Sequence, residues 1–446
     1  TMPDSDVQPS SPQPAANTWS AGVRRLVSLC NNPLSVLGVL AVAGLRNGFV
    51  GLSSERAINA LGPWVTEGIT FTGHAHEIPR HVAALRNDGV DLVVLVSEFG
   101  LAKNVLIAEA NPGIDVVLSS DMHEETRQVV EASTGALVSE VGQDGTRVGV
   151  LALSVDDAGV TSWSYGLHVV SDDLEPDPEV AALVTEVRRP FLAEGFRPHR
   201  NPINGSWLTR PIDDVVGHTA VPLHRSGFTD DAWPAVIAGT SHDLIAEALR
   251  SEGGADLGHL RGFRYGTHVA PGPIRLEDLY HFLPVGAQVG VGEVTGAQVA
   301  KLLENSADGA LNPDPWKWTG GWLHALAGAT YELDPAADAG SRTSNVAVRR
   351  AGSDESEALD TEATYAVAGY WYEAVPNKVG PIDARGDVRV LRDDDGALDV
   401  TEVVARHLAG HPVENLDPTI QLRGPLPEPV HGNHEIQPLR GAPPEA

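Results

Sequence analysis

From Phe49 onward the chain alternates short, continuous apolar runs with stretches of helical spacing. The runs FVGLSS (49–54), DLVVLVSEF (91–99) and IDVVLSSD (114–121) hold their apolar residues consecutively. Between them, Glu77 to Asn87 and Leu101 to Ala110 place apolar residues at helical intervals. Such alternation predicts buried parallel strands joined by crossover helices, an α/β arrangement. Ligands bind at the C-terminal ends of such strands.

After Thr134 the pattern changes to ALVSEVG (136–142), TRVGVLALSV (146–155) and VTSWSYGLHVV (160–170), broken by turns such as Gln143-Asp144-Gly145. These predict an antiparallel edge that closes a sandwich. SDDLEPDP (171–178) supplies a helix start signal for Val180 to Phe191, and Pro198 to Pro211 reads as a linker. A second unit follows from Ile212 to Leu422 and mixes helices (His242 to Arg250, Gly296 to Ser306) with strands (ATYELDP, TYAVAGYW, DVRVLRD), an α+β pattern.

Residues 1–18 are rich in Pro, Ser and Asp and predict a disordered tail, and 423–446 form a second Pro/Gly-rich tail. Ser35 to Leu45 (SVLGVLAVAGL) follows Arg24 and Arg25 and has two readings: the apolar part of an export signal, or a buried strand or helix. It is too short to cross a bilayer, and no later stretch is a membrane-span candidate.

A length of 446 residues exceeds what one hydrophobic core usually serves, and 42% hydrophobic with 20% charged residues suits two folded domains. The 31 basic and 60 acidic residues give a formal charge of -29, which argues against a nucleic-acid polymer or an anionic membrane as partner. A small anionic substrate remains compatible where local Arg, His or metal charge dominates. Cys30 is the single cysteine, so the fold cannot rest on an intrachain disulfide.

Candidate chemistry gathers at the strand ends. Asp121 and His123 follow the 114–121 run, beside Glu124 and Glu125, and Glu98 closes the preceding run. A carboxylate and an imidazole two residues apart suit a divalent metal; as a plain alternative, all are solvated loop residues.

The stretch from Gly89 to His123, GVDLVVLVSEFG followed by PGIDVVLSSDMH, resembles the closing half of a calcineurin-like metallophosphoesterase domain. The resemblance implies two divalent ions, of manganese, zinc or iron, held by Ser-His-x-Gly and Gly-His-x-His motifs. Here Glu98 and Asp121 stand at two of those histidine positions and His123 is retained, so these three become the expected metal ligands. The family's Asp-x-His, Gly-Asp and Gly-Asn-His motifs are not found in residues 1–48, which implies an incomplete metal-binding half over 45–195 and a chain whose own catalytic competence is in question. A literal Gly-His-Ala-His at 73–76 precedes a helix and reads as a loop and helix start.

The second unit carries TSHDLIAEALR, ADLGHLRGFRYGTHVAPGPIRLEDLYHFLPVG, GEVTGAQVAKLLENSAD, GGWLHALAGATYELDP and TYAVAGYW in an order that resembles the C-terminal domain of 5'-nucleotidases, over 212–422 after a linker at 196–211. GFRYGT and the stretch from GGW to DP look closest to SoxB-type thiosulfohydrolases. The resemblance implies Arg264 as the substrate-binding arginine, whose planar fork fits two oxygens of an anion. Val285 replaces one of the two aromatic rings that hold a base in nucleotidases, while Tyr370 and Trp371 fall near the second. His242 is a further candidate facing the cleft, with capping of a helix by Ser241 and Asp243 as the blander alternative. The implied activity is dimetal hydrolysis of a nucleoside phosphate or similar small anion; the alternatives are a SoxB-like hydrolase of a sulfur-containing conjugate and a noncatalytic ligand-binding protein. An extracytoplasmic location, periplasmic or secreted, goes with the family, with the cytoplasm as alternative.

Overall fold

The computed structural model describes residues 37–42, 44–53, 66–120, 123–126, 128–142, 144–171, 173–201, 205–224, 239–261, 266, 268–284, 286–319, 323–394, 396–416 and 419–424. Leu37–Val42 (β1) and Leu45–Leu52 (β2) form an antiparallel hairpin that turns at Gly44, whose φ of 85° favours glycine. Over its described residues, the stretch with two readings is therefore a strand at the edge of the first sheet.

Helix α1 (His74–Asn87) leads to β3 (Leu92–Ser97), parallel to β2, and helix α2 (Leu101–Ala110) leads to β4 (Val116–Ser119), parallel to β3. With β5 (Val130–Glu131) and β6 (Leu137–Ser139), the order is β1-β2-β3-β4-β6-β5. Val93, Leu95 and Val117 meet Ile78, Leu85, Val105 and Ile107 in one core. A Cβ on Gly48 would lie 2.8 Å from a methyl of Leu85, so the glycine lets α1 approach β2.

The parallel centre is as the apolar runs predict, but the stretch after Thr134 differs. β6 runs parallel to β4, and only the two-residue β5 pairs with it antiparallel. All three β6 residues are buried, which suits a place inside a parallel sheet better than an edge. The remaining two runs, β7 (Arg147–Asp156) and β8 (Gly159–Val169), form a two-stranded sheet of their own. Helix α3 (Pro178–Arg188) starts as its sequence signal predicts: Asp177 Oδ1 accepts from the amides of Glu179 and Val180 at 3.0 Å, with proline at the first position.

Within the predicted linker, His199–Arg200 pairs with Trp207–Leu208. The second unit is built on a sheet of β9 (Leu257–Leu260), β10 (Gln288–Thr295), β11 (Ala325–Ala327), β12 (Thr364–Trp371) and β13 (Arg389–Val390), in the order β11-β9-β12-β10-β13. Helices α4 (Thr240–Gly253), α5 (Leu276–Phe282), α6 (Gly296–Ala310) and α7 (Val400–Gly410) pack on it. One core joins Leu244, Leu249, Phe282 and Val404; the other joins Leu303, Ala307, Leu257 and Tyr365 to Tyr331 and Leu333 of the strand Ala329–Leu333, which belongs to a separate four-stranded sheet. The predicted strand DVRVLRD breaks at Leu391, whose side chain turns inward and whose amide donates to the Val289 carbonyl at 2.8 Å. No helix among the described residues is long and apolar enough to cross a membrane.

Candidate active site at the strand ends

Backbone hydrogen bonds tie three strand ends together. The amide of Glu98 donates to the Leu52 carbonyl at 2.9 Å, that of Ser120 to Ser97 at 2.9 Å, and that of Gly100 to Ser120 at 3.2 Å. Glu98 therefore emerges, exposed, at the shared edge.

Beneath this edge runs a buried polar chain. Ser97 Oγ donates to Asn104 Oδ1 at 2.6 Å, Asn104 Nδ2 to Ser119 Oγ at 2.8 Å, and Ser119 Oγ to Glu140 Oε2 at 2.5 Å. Glu140 Oε1 accepts from the Glu124 amide at 3.2 Å, and Glu124 Oε2 accepts from the Leu101 amide at 2.6 Å. A carboxylate at the first turn of α2 is favoured by the exposed amides and the helix dipole. Asn104, Glu124 and Glu140 are all buried, so the loop after β4 is anchored from below by charge-assisted bonds. In that anchored loop His123 takes φ 60°, a left-handed conformation that a non-glycine residue holds only when its surroundings impose it.

The second unit reaches the same edge through Trp316. Its indole stacks on His74 of α1 with centroids 4.7 Å apart and planes at 12°, meets the Phe99 ring edge-on at 6.3 Å, and lies 5.7 Å from Lys103 Nζ. Trp316 therefore seats the second unit against Phe99, at the end of β3. The motif at 73–76 does form a loop and helix start, behind Gly73 at φ 85°, yet its first histidine also makes this ring contact. Sequence reading missed Trp316; the signal was an aromatic pair in the Pro- and Gly-flanked segment NPDPWKWTGG.

Of the residues expected to act, Asp121 and Arg264 lie outside the described residues, as does Val285. Glu98 and half-buried His123 share the strand-end region. His242 is 2% exposed in the first turn of α4. That helix is capped by Gly239 with no side-chain cap, so neither Ser241 nor Asp243 takes the capping role. Burial instead pushes the Asp243 carboxyl up to about 7. Neighbours on a strand point to opposite faces. Trp371 is buried with its indole N–H donating to the Pro376 carbonyl at 2.9 Å, while Tyr370 is half-buried against the α4–α7 core, its hydroxyl pKa raised by burial.

Two histidines of the second unit pair with each other. His259, at 1% exposure in β9, and His324 have ring nitrogens 3.1 Å apart, one donating to the other. Burial first, and then the charge of Arg261, lowers His324 to about 4, so the pair stays neutral near pH 7.

With Asp121 the strand-end donors are two carboxylates and one imidazole, a set whose chemistry fits one divalent ion of the manganese, iron or zinc kind. Three side chains are too few to hold two ions. Among the described residues the group of three donors within ligating reach of one another is a different one, Glu252, His407 and His411.

Residues 215–380 match the family model described as the 5'-nucleotidase C-terminal domain. The sulfate thiohydrolase SoxB of Thermus thermophilus shares the fold, at TM-score 0.71 and 20% identity, over 87% of this chain and 65% of that one. A 5'-nucleotidase precursor from the same species does so at TM-score 0.67 and 19% identity, over 88% and 75%. A probable 5'-nucleotidase of Treponema pallidum (strain Nichols) is 22% identical over 65% of this chain and 56% of its own. The chain spans between 21% and 59% of the length of the first curated relatives it matches. The resemblance read from the second unit's motifs and the mixed α/β fold class both hold: residues 215–380 match the 5'-nucleotidase C-terminal domain, and an α/β unit precedes them.

Proposed function

We propose, from a chain that carries a 5'-nucleotidase C-terminal domain, that it is a hydrolase of phosphate esters of nucleotides or similar small anions, acting at the ends of β3 and β4. The observation that carries this reading is the seating of Trp316 against His74 and Phe99, which brings the second unit to the strand ends. Glu98, Asp121 and His123 hold a divalent ion. Such an ion supplies Lewis-acid stabilisation of charge on the ester oxygens and lowers the pKa of a bound water. Arg264 binds two oxygens of the anion, a local positive charge that the overall -29 makes necessary. Tyr370, Trp371 and His242 are the further residues assigned to substrate binding, with His242 and Trp371 buried. Rigidity comes from the Asn104–Glu140–Glu124 chain, which holds the His123 loop in one geometry. An extracytoplasmic location belongs to this reading, supported by likeness to a protein named a 5'-nucleotidase precursor.

A sulfur-containing conjugate is the second substrate reading, favoured by the likeness of fold to a sulfate thiohydrolase. The purified chain with added manganese is assayed for phosphate from nucleoside monophosphates and for sulfate from thiosulfonate conjugates. The proposal expects phosphate release that falls at least about 100-fold in His123→Ala and roughly 10- to 100-fold in Arg264→Ala. Sulfate release alone moves the assignment to the second reading. Release of neither overturns both and leaves a ligand-binding protein.

A further inference from the structure

We propose that Glu252, His407 and His411 form a second cation site, for a single ion of the zinc, copper or nickel class, which ties the end of α4 to the end of α7. His407 and His411 lie one turn apart on α7 and at its C-cap, with rings stacked at 4.5 Å and 11°. Glu252 reaches them from the last turn of α4, and one ligand atom from each of the three lies within 4.8 Å of the others.

Two features of the rings point to a ligand. His411 Nδ1 lies 3.0 Å from the His407 carbonyl oxygen. A carbonyl only accepts, so Nδ1 carries the proton and Nε2 presents its lone pair outward, the tautomer that metal-bound histidines adopt when a carbonyl holds the other nitrogen. His407 is 7% exposed, and its Nδ1 is buried without a hydrogen-bond partner. Glu252 Oε1 lies 3.6 Å from it, too far for a hydrogen bond. Buried polar atoms are nearly always satisfied, and this one faces a carboxylate across 3.6 Å.

The chemistry selects the class of ion. Two imidazoles and one carboxylate suit zinc, copper or nickel, whereas magnesium and calcium prefer oxygen donors throughout. Ligand atoms around one zinc sit about 3.3 Å apart, so the exposed Glu252 and His411 need close by no more than about 1.5 Å on binding. Glu252 also borders a surface cavity of about 380 Å³ between α7 and the 389–392 segment, lined by Arg389, Arg392 and Arg406. Glu247, a further carboxylate that also pairs with Arg250, adds negative charge near His407.

The site is tested on the full chain, stripped with chelator and titrated with zinc by equilibrium dialysis and with cobalt by visible absorption. Wild type, His411→Ala, Glu252→Gln and His123→Ala are compared, each checked for folding by circular dichroism. The proposal expects His411→Ala and Glu252→Gln to weaken one zinc equivalent by at least about tenfold and to lose the cobalt imidazole spectrum, while His123→Ala retains that equivalent. Zinc binding in His411→Ala equal to that of wild type in number and affinity overturns it. So does a wild type whose every zinc equivalent disappears with His123→Ala.

Discussion

Helices α3 and α6 are both amphipathic and both begin with a side-chain cap, yet they end in different environments. Thr295 and Gln298 cap α6 reciprocally, and eight of its residues are buried against the central sheet. Asp177 caps α3 equally well, but none of its residues is buried, and Val180, Leu183 and Val187 are each about 60% exposed. The neighbouring hairpin of β7 and β8 likewise exposes Val148, Val150 and Val169. A cap and a periodic stripe specify a helix; they do not supply the surface that covers the stripe. The second unit closes its cores from within, whereas the region from 147 to 188 leaves a broad apolar face open among the described residues.

This contrast makes quantitative predictions. Leu303→Ala, at a fully buried position of α6, is expected to cost about 2–5 kcal/mol in urea unfolding, and Leu183→Ala in α3 less than about 0.5 kcal/mol. A loss above about 1.5 kcal/mol for Leu183→Ala shows that α3 is covered in solution. Next in size is Asp243, whose folded carboxyl sits at about 7, above the ordinary 3.8. The folded state then keeps a proton that the unfolded chain releases, so stability falls as pH rises from about 4 to about 7 and is level above it. Asp243→Asn is expected to flatten that slope and to add about 2 kcal/mol at pH 8; an unchanged pH profile removes the buried-acid account. Smallest is Asn104→Ala in the first unit, expected to cost about 1–2 kcal/mol by leaving Ser97 and Ser119 without their buried partner. If its thermal midpoint matches wild type, the anchoring chain under the His123 loop carries no stability.

The strand-end chemistry was legible where a local signal existed. Consecutive apolar residues at 92–97 and 116–119 announced parallel strands, and the residues following them were singled out because ligands bind at such ends. Ordered motifs from TSHDLIAEALR to TYAVAGYW announced the second unit. What escaped were contacts between distant segments. Asn104 in an apolar helix and Glu140 after an apolar strand are odd residues in sequence, and their meeting across Ser119 depends on how three strands align. His74 and Trp316 lie far apart along the chain and share no pattern.

Most element types, the cap at Asp177 and the order of strands and helices along the chain followed from spacing of 2.0 or 3.6 residues and from turn chemistry, which act within a few positions of the chain. Which faces became covered, where Trp316 landed, and how Glu252 came to face His407 and His411 depended on folding between distant segments. Local patterns restrict the backbone of each segment. The pairing of side chains across segments is set by the closest packing of all of them at once, and no single stretch of sequence encodes it.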